Sequence, residues 1–203
     1  MIERGFKEKI KKTIDGSKGC PICSIVLEYE FDLLAKIQYG ISQDESLRRE
    51  IAIEGGFCDF HYRQFKRLAN FKTNTLLLQS IVESGFFKNT AAEINCRICR
   101  VINKAEDGLI NDMTELLAGK DFQNNFEQSY GVCAVHLKGI LKVIKPEGLK
   151  EWLVRIHQQQ IERYKTILEE LNSANSYWDI EMGKREFVNL LIQKFAGRKT
   201  AGV

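Results

Sequence analysis

Proline is scarce in this chain, with only Pro21 and Pro146 among 203 residues. A proline inside a helix removes one hydrogen bond and clashes with the preceding turn, so its scarcity favours long helices. No stretch shows the alternation of apolar and polar residues that is typical of strands. We therefore expect an all-α protein.

Long apolar runs are also missing. No segment approaches the 18 uninterrupted apolar residues of a membrane-spanning helix, so we expect no membrane partner. Residues 1–10 carry too many charges for a signal peptide. We therefore expect a cytoplasmic protein, in which cysteines stay reduced and serve as metal ligands before they form disulfides.

The charge is balanced, with 30 basic and 27 acidic residues and a net charge of +3. A nucleic-acid-binding surface normally shows as a dense basic patch or stripe, so we do not expect such a ligand. The basic residues Arg63, Lys66, Arg67 and Lys72 are interpreted as a solvated helix face. We expect a protein partner instead, and the oligomeric state is left open.

Familiar catalytic motifs are absent as well. The sequence contains neither H-E-x-x-H nor the H-x-E and P-C-x-x-C pair of zinc deaminases, and it lacks a glycine-rich phosphate loop. We therefore lean towards a protein without enzymatic activity. His157, in a helical segment rich in glutamine, is interpreted as a solvated residue.

The six cysteines and two of the three histidines form an internal repeat. Each copy reads C-x-x-C and then G-x-C-x-x-H, with 34 or 33 residues between the second and third cysteines, and the two copies begin 76 residues apart. The predicted metal ligands are Cys20, Cys23, Cys58 and His61 in the first copy, and Cys96, Cys99, Cys133 and His136 in the second.

This spacing suits metal binding. A C-x-x-C at a helix N-terminus can direct two thiolates to one point, where the helix dipole stabilises them. A C-x-x-H from a second helix completes four ligands. Gly56 and Gly131, just before it, permit a tight backbone approach, often with positive φ. Four protein ligands form the closed tetrahedral shell of a structural zinc site.

Two ligand pairings are compatible with the spacing. In the local pairing, each C-x-x-C shares a metal with the C-x-x-H of its own copy. In the swapped pairing, it shares a metal with the C-x-x-H of the other copy. We prefer the local pairing, because the shorter loop has the lower closure entropy cost.

The metal also has two interpretations. Three cysteines and one histidine suit zinc, and the sequence lacks the compact cysteine run of ferredoxins. We expect two Zn²⁺ ions in a structural role. The alternative is two [4Fe–4S] clusters in an electron-transfer or cluster-handling protein.

Helical periodicity is strong along most of the chain. It predicts helices over residues 22–39, 44–54, 58–70, 75–92, 98–117, 122–129, 133–144, 148–172 and 183–196. Gly40 is interpreted as the end of the first of these helices. We expect two tandem helical repeats, residues 1–95 and 96–203, each with one metal site, and the second with a C-terminal helical extension.

The motifs resemble a family of uncharacterised helical prokaryotic proteins. Its members carry paired C-P-x-C and G-F-C-x-x-H motifs and a closing helix that ends in glycine, which resembles residues 186–197. Arg97 and Val132 depart from this pattern, while all eight ligand positions match. The resemblance implies metal binding and no particular activity. We expect an interaction or accessory protein.

Overall fold

The computed structural model describes residues 5–16, 19–88, 93–173 and 182–197. Over these residues the protein is all-α, as predicted, and contains no strand. A 3₁₀ turn, Phe86–Lys88, follows the fifth helix. The α-helices are α1 Lys7–Gly16, α2 Pro21–Gln43, α3 Glu45–Ile53, α4 Asp59–Leu68, α5 Phe71–Glu83, α6 Arg97–Leu117, α7 Lys120–Gln128, α8 Ala134–Val143, α9 Glu147–Ser173 and α10 Met182–Ala196.

Most predicted helices are present, with three differences. α1 was not predicted, although Phe6, Ile10 and Ile14 recur at the four-residue spacing of an apolar helix face and are buried. α2 continues through Gly40, so the prediction that this glycine ends the helix was wrong. The side chain of Leu47 lies where a Cβ of residue 40 would be, so the glycine allows close packing.

Helix α5 runs from Phe71 to Glu83, so it begins earlier than predicted and also ends earlier than the predicted end at residue 92. Residues 89–92 lie outside the described part of the chain. Asn70 is the N-cap of α5, and its side chain accepts a hydrogen bond of 2.8 Å from the backbone N–H of Thr73. Asp44 caps α3 in the same way, accepting from the backbone N–H of Ser46 at 2.8 Å. These side chains satisfy amides that have no partner within the helix.

Contacts divide the chain into two compact units. Unit 1 comprises Met1–Leu27 and Glu106–Val203, and unit 2 comprises Glu28–Ala105. The sequence-based boundary between residues 95 and 96 is a different partition of the chain and stays a prediction. No described helix is both long and apolar enough to cross a bilayer.

Unit 1 is built around the buried faces of α1, α7, α8 and α9. The backbone N–H of Phe6 donates to a carboxylate oxygen of Asp112 at 2.6 Å and so fixes the start of α1. On α9 the buried residues follow helical spacing: Leu153, Ile156, His157, Gln160 and Tyr164. Tyr164 packs with Leu191 of α10.

Unit 2 has its own apolar core, to which Ile51, Phe65, Leu77 and Ile102 contribute fully buried side chains. The guanidinium of Arg97 donates to Glu54 and Glu50, each at 3.0 Å. Arg97 stands where the repeat pattern would place a proline, and it ties the start of α6 to the end of α3.

Candidate metal centres

The structure gathers the eight predicted ligands into two groups of four. Cluster 1, in unit 1, consists of Cys20, Cys23, Cys133 and His136. The Nδ1 atom of His136 lies 3.4 Å from the sulfur of Cys20, 3.4 Å from that of Cys23 and 3.1 Å from that of Cys133. The sulfurs of Cys23 and Cys133 are 3.7 Å apart. Four donor atoms therefore surround one point.

Cluster 2, in unit 2, consists of Cys58, His61, Cys96 and Cys99. The Nδ1 atom of His61 lies 3.2 Å from the sulfur of Cys58, 3.4 Å from that of Cys96 and 3.2 Å from that of Cys99. The sulfurs of Cys58 and Cys99 are 3.6 Å apart. The two clusters thus repeat one geometry.

The preference for local pairing was wrong, since each C-x-x-C meets the C-x-x-H of the other copy. The reason lies in the helices between the motifs. α2 has 23 residues and carries the chain about 34 Å from its start, whereas the nine residues of α3 span only about 14 Å. Loop entropy changes by only about 0.6 kcal/mol per doubling of length, which is too little to decide against a stiff helix.

All eight ligands lie at helix N-termini. Cys58 and Cys133 are the N-caps of α4 and α8. Cys20 and Cys96 immediately precede α2 and α6. Each cluster is therefore bounded by the positive ends of two helix dipoles, which favour thiolates over thiols.

Two carboxylates that the sequence analysis missed contact the histidines. Glu30 accepts from Nε2 of His61 at 2.9 Å, and Glu106 accepts from Nε2 of His136 at 2.7 Å. This contact orients the ring so that Nδ1 faces the cysteines. In metal sites, a carboxylate bound to the other ring nitrogen of a histidine ligand has the same effect. The signal was in the repeat, because each glutamate follows its C-x-x-C by seven residues.

The glycines before the C-x-x-H motifs adopt the predicted positive φ, +83° at Gly56 and +65° at Gly131. A Cβ at Gly56 would come within 2.8 Å of Ile81, and one at Gly131 would overlap the side-chain amide of Gln160. Glycine is therefore needed at both turns for conformation and for space.

The pKa values of the histidines and of Cys96 in the two clusters are strongly shifted. Burial opposes protonation of His61, but its contacts with Cys96 and Glu30 raise its pKa to about 10. Burial likewise opposes protonation of His136, but contacts with Cys133, Cys20 and Glu106 raise its pKa to about 12. Burial raises the pKa of Cys96, yet the contact with His61 outweighs it and the pKa falls to about 6. Each cluster therefore favours bound positive charge.

His157 is not solvated, so that interpretation was wrong. It lies on the buried face of α9 and is 9% exposed, and its Nδ1 has no hydrogen-bond partner within the described residues. Burial, followed by the charge of Lys194, lowers its pKa to about 4. It belongs to the core of unit 1 and to neither cluster.

Comparison with known proteins gives no relative. No protein-family model, no curated protein and no solved structure matches the chain. The family resemblance of the motifs therefore stays a prediction. What the structure supports is an all-helical protein with two buried Cys/His groups that can hold metal ions.

Proposed function

We propose that the protein binds two zinc ions, one in each cluster, and that both ions hold the helical scaffold together. The distances between donor atoms support this most directly. With a zinc–sulfur bond of about 2.3 Å, tetrahedral geometry separates two sulfur ligands by about 3.8 Å. The measured sulfur pairs lie at 3.7 Å in cluster 1 and 3.6 Å in cluster 2.

The same distances argue against the [4Fe–4S] alternative. In such a cluster each protein ligand binds a different iron atom, so the ligands stand apart by the width of the cluster. Donor atoms that all lie within 4.8 Å of one another are close enough to bind a single ion, which favours zinc over a cluster. Three thiolates and an imidazole in tetrahedral array are a ligand set that zinc prefers.

Four protein ligands leave no open coordination position, which favours a structural role over catalysis. We propose an accessory protein that acts through its helical surface on a protein partner. Large apolar side chains exposed on unit 2 support this role, among them Phe71 (87% exposed) and Val82 (72% exposed). Six cysteines without disulfides are in keeping with a reducing, cytoplasmic location.

Anaerobic purification followed by elemental analysis and a visible spectrum tests the metal assignment. We expect a colourless protein with two zinc ions per chain. A brown protein that contains iron and absorbs near about 400 nm would establish the cluster alternative instead. A protein with neither metal, which also fails to take up added zinc, would contradict the proposal.

A further inference from the structure

The two clusters differ in exposure. All four residues of cluster 1 are buried. In cluster 2, Cys96 and His61 are buried at 6% and 4% exposure, whereas Cys58 and Cys99 are partly exposed. Cluster 2 is therefore closer to solvent than cluster 1, and it is closest at Cys58 and Cys99.

The end of α10 covers cluster 1. A Cβ at Gly197, which follows α10, would lie 3.7 Å from the sulfur of Cys133, so the backbone there runs directly against the ligand. Lys194, one turn earlier, is 5% exposed and donates to the side-chain oxygen of Gln160 at 3.1 Å. Cluster 1 is thus closed by a helix terminus that is itself anchored.

The two partly exposed cysteines of cluster 2, Cys58 and Cys99, are also neighbours. Their sulfurs are 3.6 Å apart and so lie in van der Waals contact. They come from different helices, with Cys58 as the N-cap of α4 and Cys99 in the first turn of α6. Partial exposure and proximity are properties that make a cysteine pair open to oxidation to a disulfide.

We propose that Cys58 and Cys99 form a hydroperoxide-reactive pair, and that their oxidation to a disulfide releases the metal of cluster 2 while cluster 1 keeps its own. This inference rests on the proposed zinc occupancy. The modification site is the pair Cys58 and Cys99, and its substrate class is a small hydroperoxide such as hydrogen peroxide.

The chemistry balances without another reactant. One thiolate attacks an oxygen of hydrogen peroxide, the O–O bond breaks, and a sulfenic acid and hydroxide form. The second thiolate attacks that sulfur, the S–O bond breaks, and a disulfide and a second hydroxide form. The two sulfurs lose two electrons, the peroxide oxygens gain them, and two protons from the buffered solvent convert both hydroxides to water. A zinc ion bound there would be left with Cys96 and His61 as its only protein ligands and would no longer be held firmly.

The test uses the full chain loaded with two zinc ions, with occupancy confirmed by elemental analysis. Hydrogen peroxide is added in the presence of a chromogenic zinc chelator, and unreacted thiols are then alkylated for peptide mapping by mass spectrometry. We expect one zinc ion per chain to be released about tenfold faster than the other, together with a disulfide between Cys58 and Cys99.

Matched variants assign the fast phase. Each variant lacks one ligand and should therefore load only one zinc ion: Cys99→Ser should show only the slow release from cluster 1, and Cys23→Ser, the equivalent change in cluster 1, should show only the fast release from cluster 2. If either variant fails to fold, the peptide map of the unaltered protein still decides the question.

Simultaneous release of both ions, a disulfide within cluster 1, or a zinc-loaded protein that peroxide does not change would each overturn this inference alone. A chain that holds no zinc before peroxide is added would overturn the proposed function and this inference with it.

Discussion

Single residues outside the eight ligands control each site, and the glutamates that hold the histidines are the clearest case. The carboxylate of Glu30 is 4% exposed and that of Glu106 is 21% exposed. Both accept from the histidine nitrogen that faces away from the cysteines. They therefore contribute to metal affinity by fixing the ring and making it a better donor.

We expect Glu30→Ala to weaken zinc binding at cluster 2 by about 10–100-fold and to leave cluster 1 unchanged. Glu30→Gln should lose less, because its amide oxygen still accepts the hydrogen bond. Competition with a chelator of known affinity measures both. Glu106→Ala is the matched variant for cluster 1, with a smaller expected loss because its carboxylate is more exposed. Equal weakening of both clusters by one substitution would contradict this assignment.

The turn at Gly131 is another position where a single residue affects the stability of the protein. Gly131→Ala should destabilise the protein by about 1–3 kcal/mol, because the alanine is strained at positive φ and its Cβ overlaps Gln160. Denaturant unfolding measures the change.

Gly148→Ala is the control for that measurement. Gly148 lies at the start of α9 with open space around its Cβ position. The substitution should be neutral or stabilise the protein by about 0.5 kcal/mol. A Gly131→Ala protein as stable as this control would show that the turn tolerates a side chain.

At the scale of helices, α2 and α6 each serve both clusters. α2 follows Cys20 and carries Cys23 for cluster 1, then provides Glu30 for the histidine of cluster 2. α6 does the reverse, with Cys99 for cluster 2 and Glu106 for the histidine of cluster 1. The stiffness of these helices is the physical basis of the swapped pairing.

Cys58→Ser tests that pairing. The variant should lose one zinc ion, and the thiols that become reactive towards alkylating agents should be Cys96 and Cys99. Local pairing would instead free Cys20 and Cys23, so peptide mapping separates the two arrangements. Hydrogen exchange should accelerate in residues 28–105, since metal binding and folding are coupled. Cys133→Ser is the matched change and should affect unit 1.

For the molecule as a whole, metal binding should link stability to pH. A thiolate ligand must be deprotonated, and a metal holds the cysteine pKa below its free value of about 8.5. Because the folded pKa is the lower one, the stabilisation is complete above about pH 8.5, decreases as the pH falls below that value, and is lost once the pH has fallen through the metal-bound pKa.

We therefore expect the melting temperature to fall on acidification to about pH 4, and on chelation at neutral pH. Circular dichroism melting of the zinc-loaded protein, with and without chelator, measures this. Unchanged melting after complete metal removal, verified by elemental analysis, would argue against a structural role for both ions.

The sequence alone determined the helical class and the eight candidate ligands. Proline scarcity, apolar spacing and the repeated cysteine and histidine motifs are local properties, and local properties can be read from the chain. The positive φ at Gly56 and Gly131 was predicted for the same reason. The four-residue spacing of Phe6, Ile10 and Ile14 is a local signal of the same kind and indicates α1.

Only the tertiary structure decided which C-x-x-C motif meets which C-x-x-H motif, and which side chains surround the two clusters. The pairing of the two motifs depends on the length and direction of α2 and α6, because these segments are stiff helices and not flexible loops. The contacts of Glu30 and Glu106, the burial of His157 and the exposure of Cys58 and Cys99 depend on neighbours far apart in the chain. Such contacts arise from packing, and spacing along the sequence does not specify them.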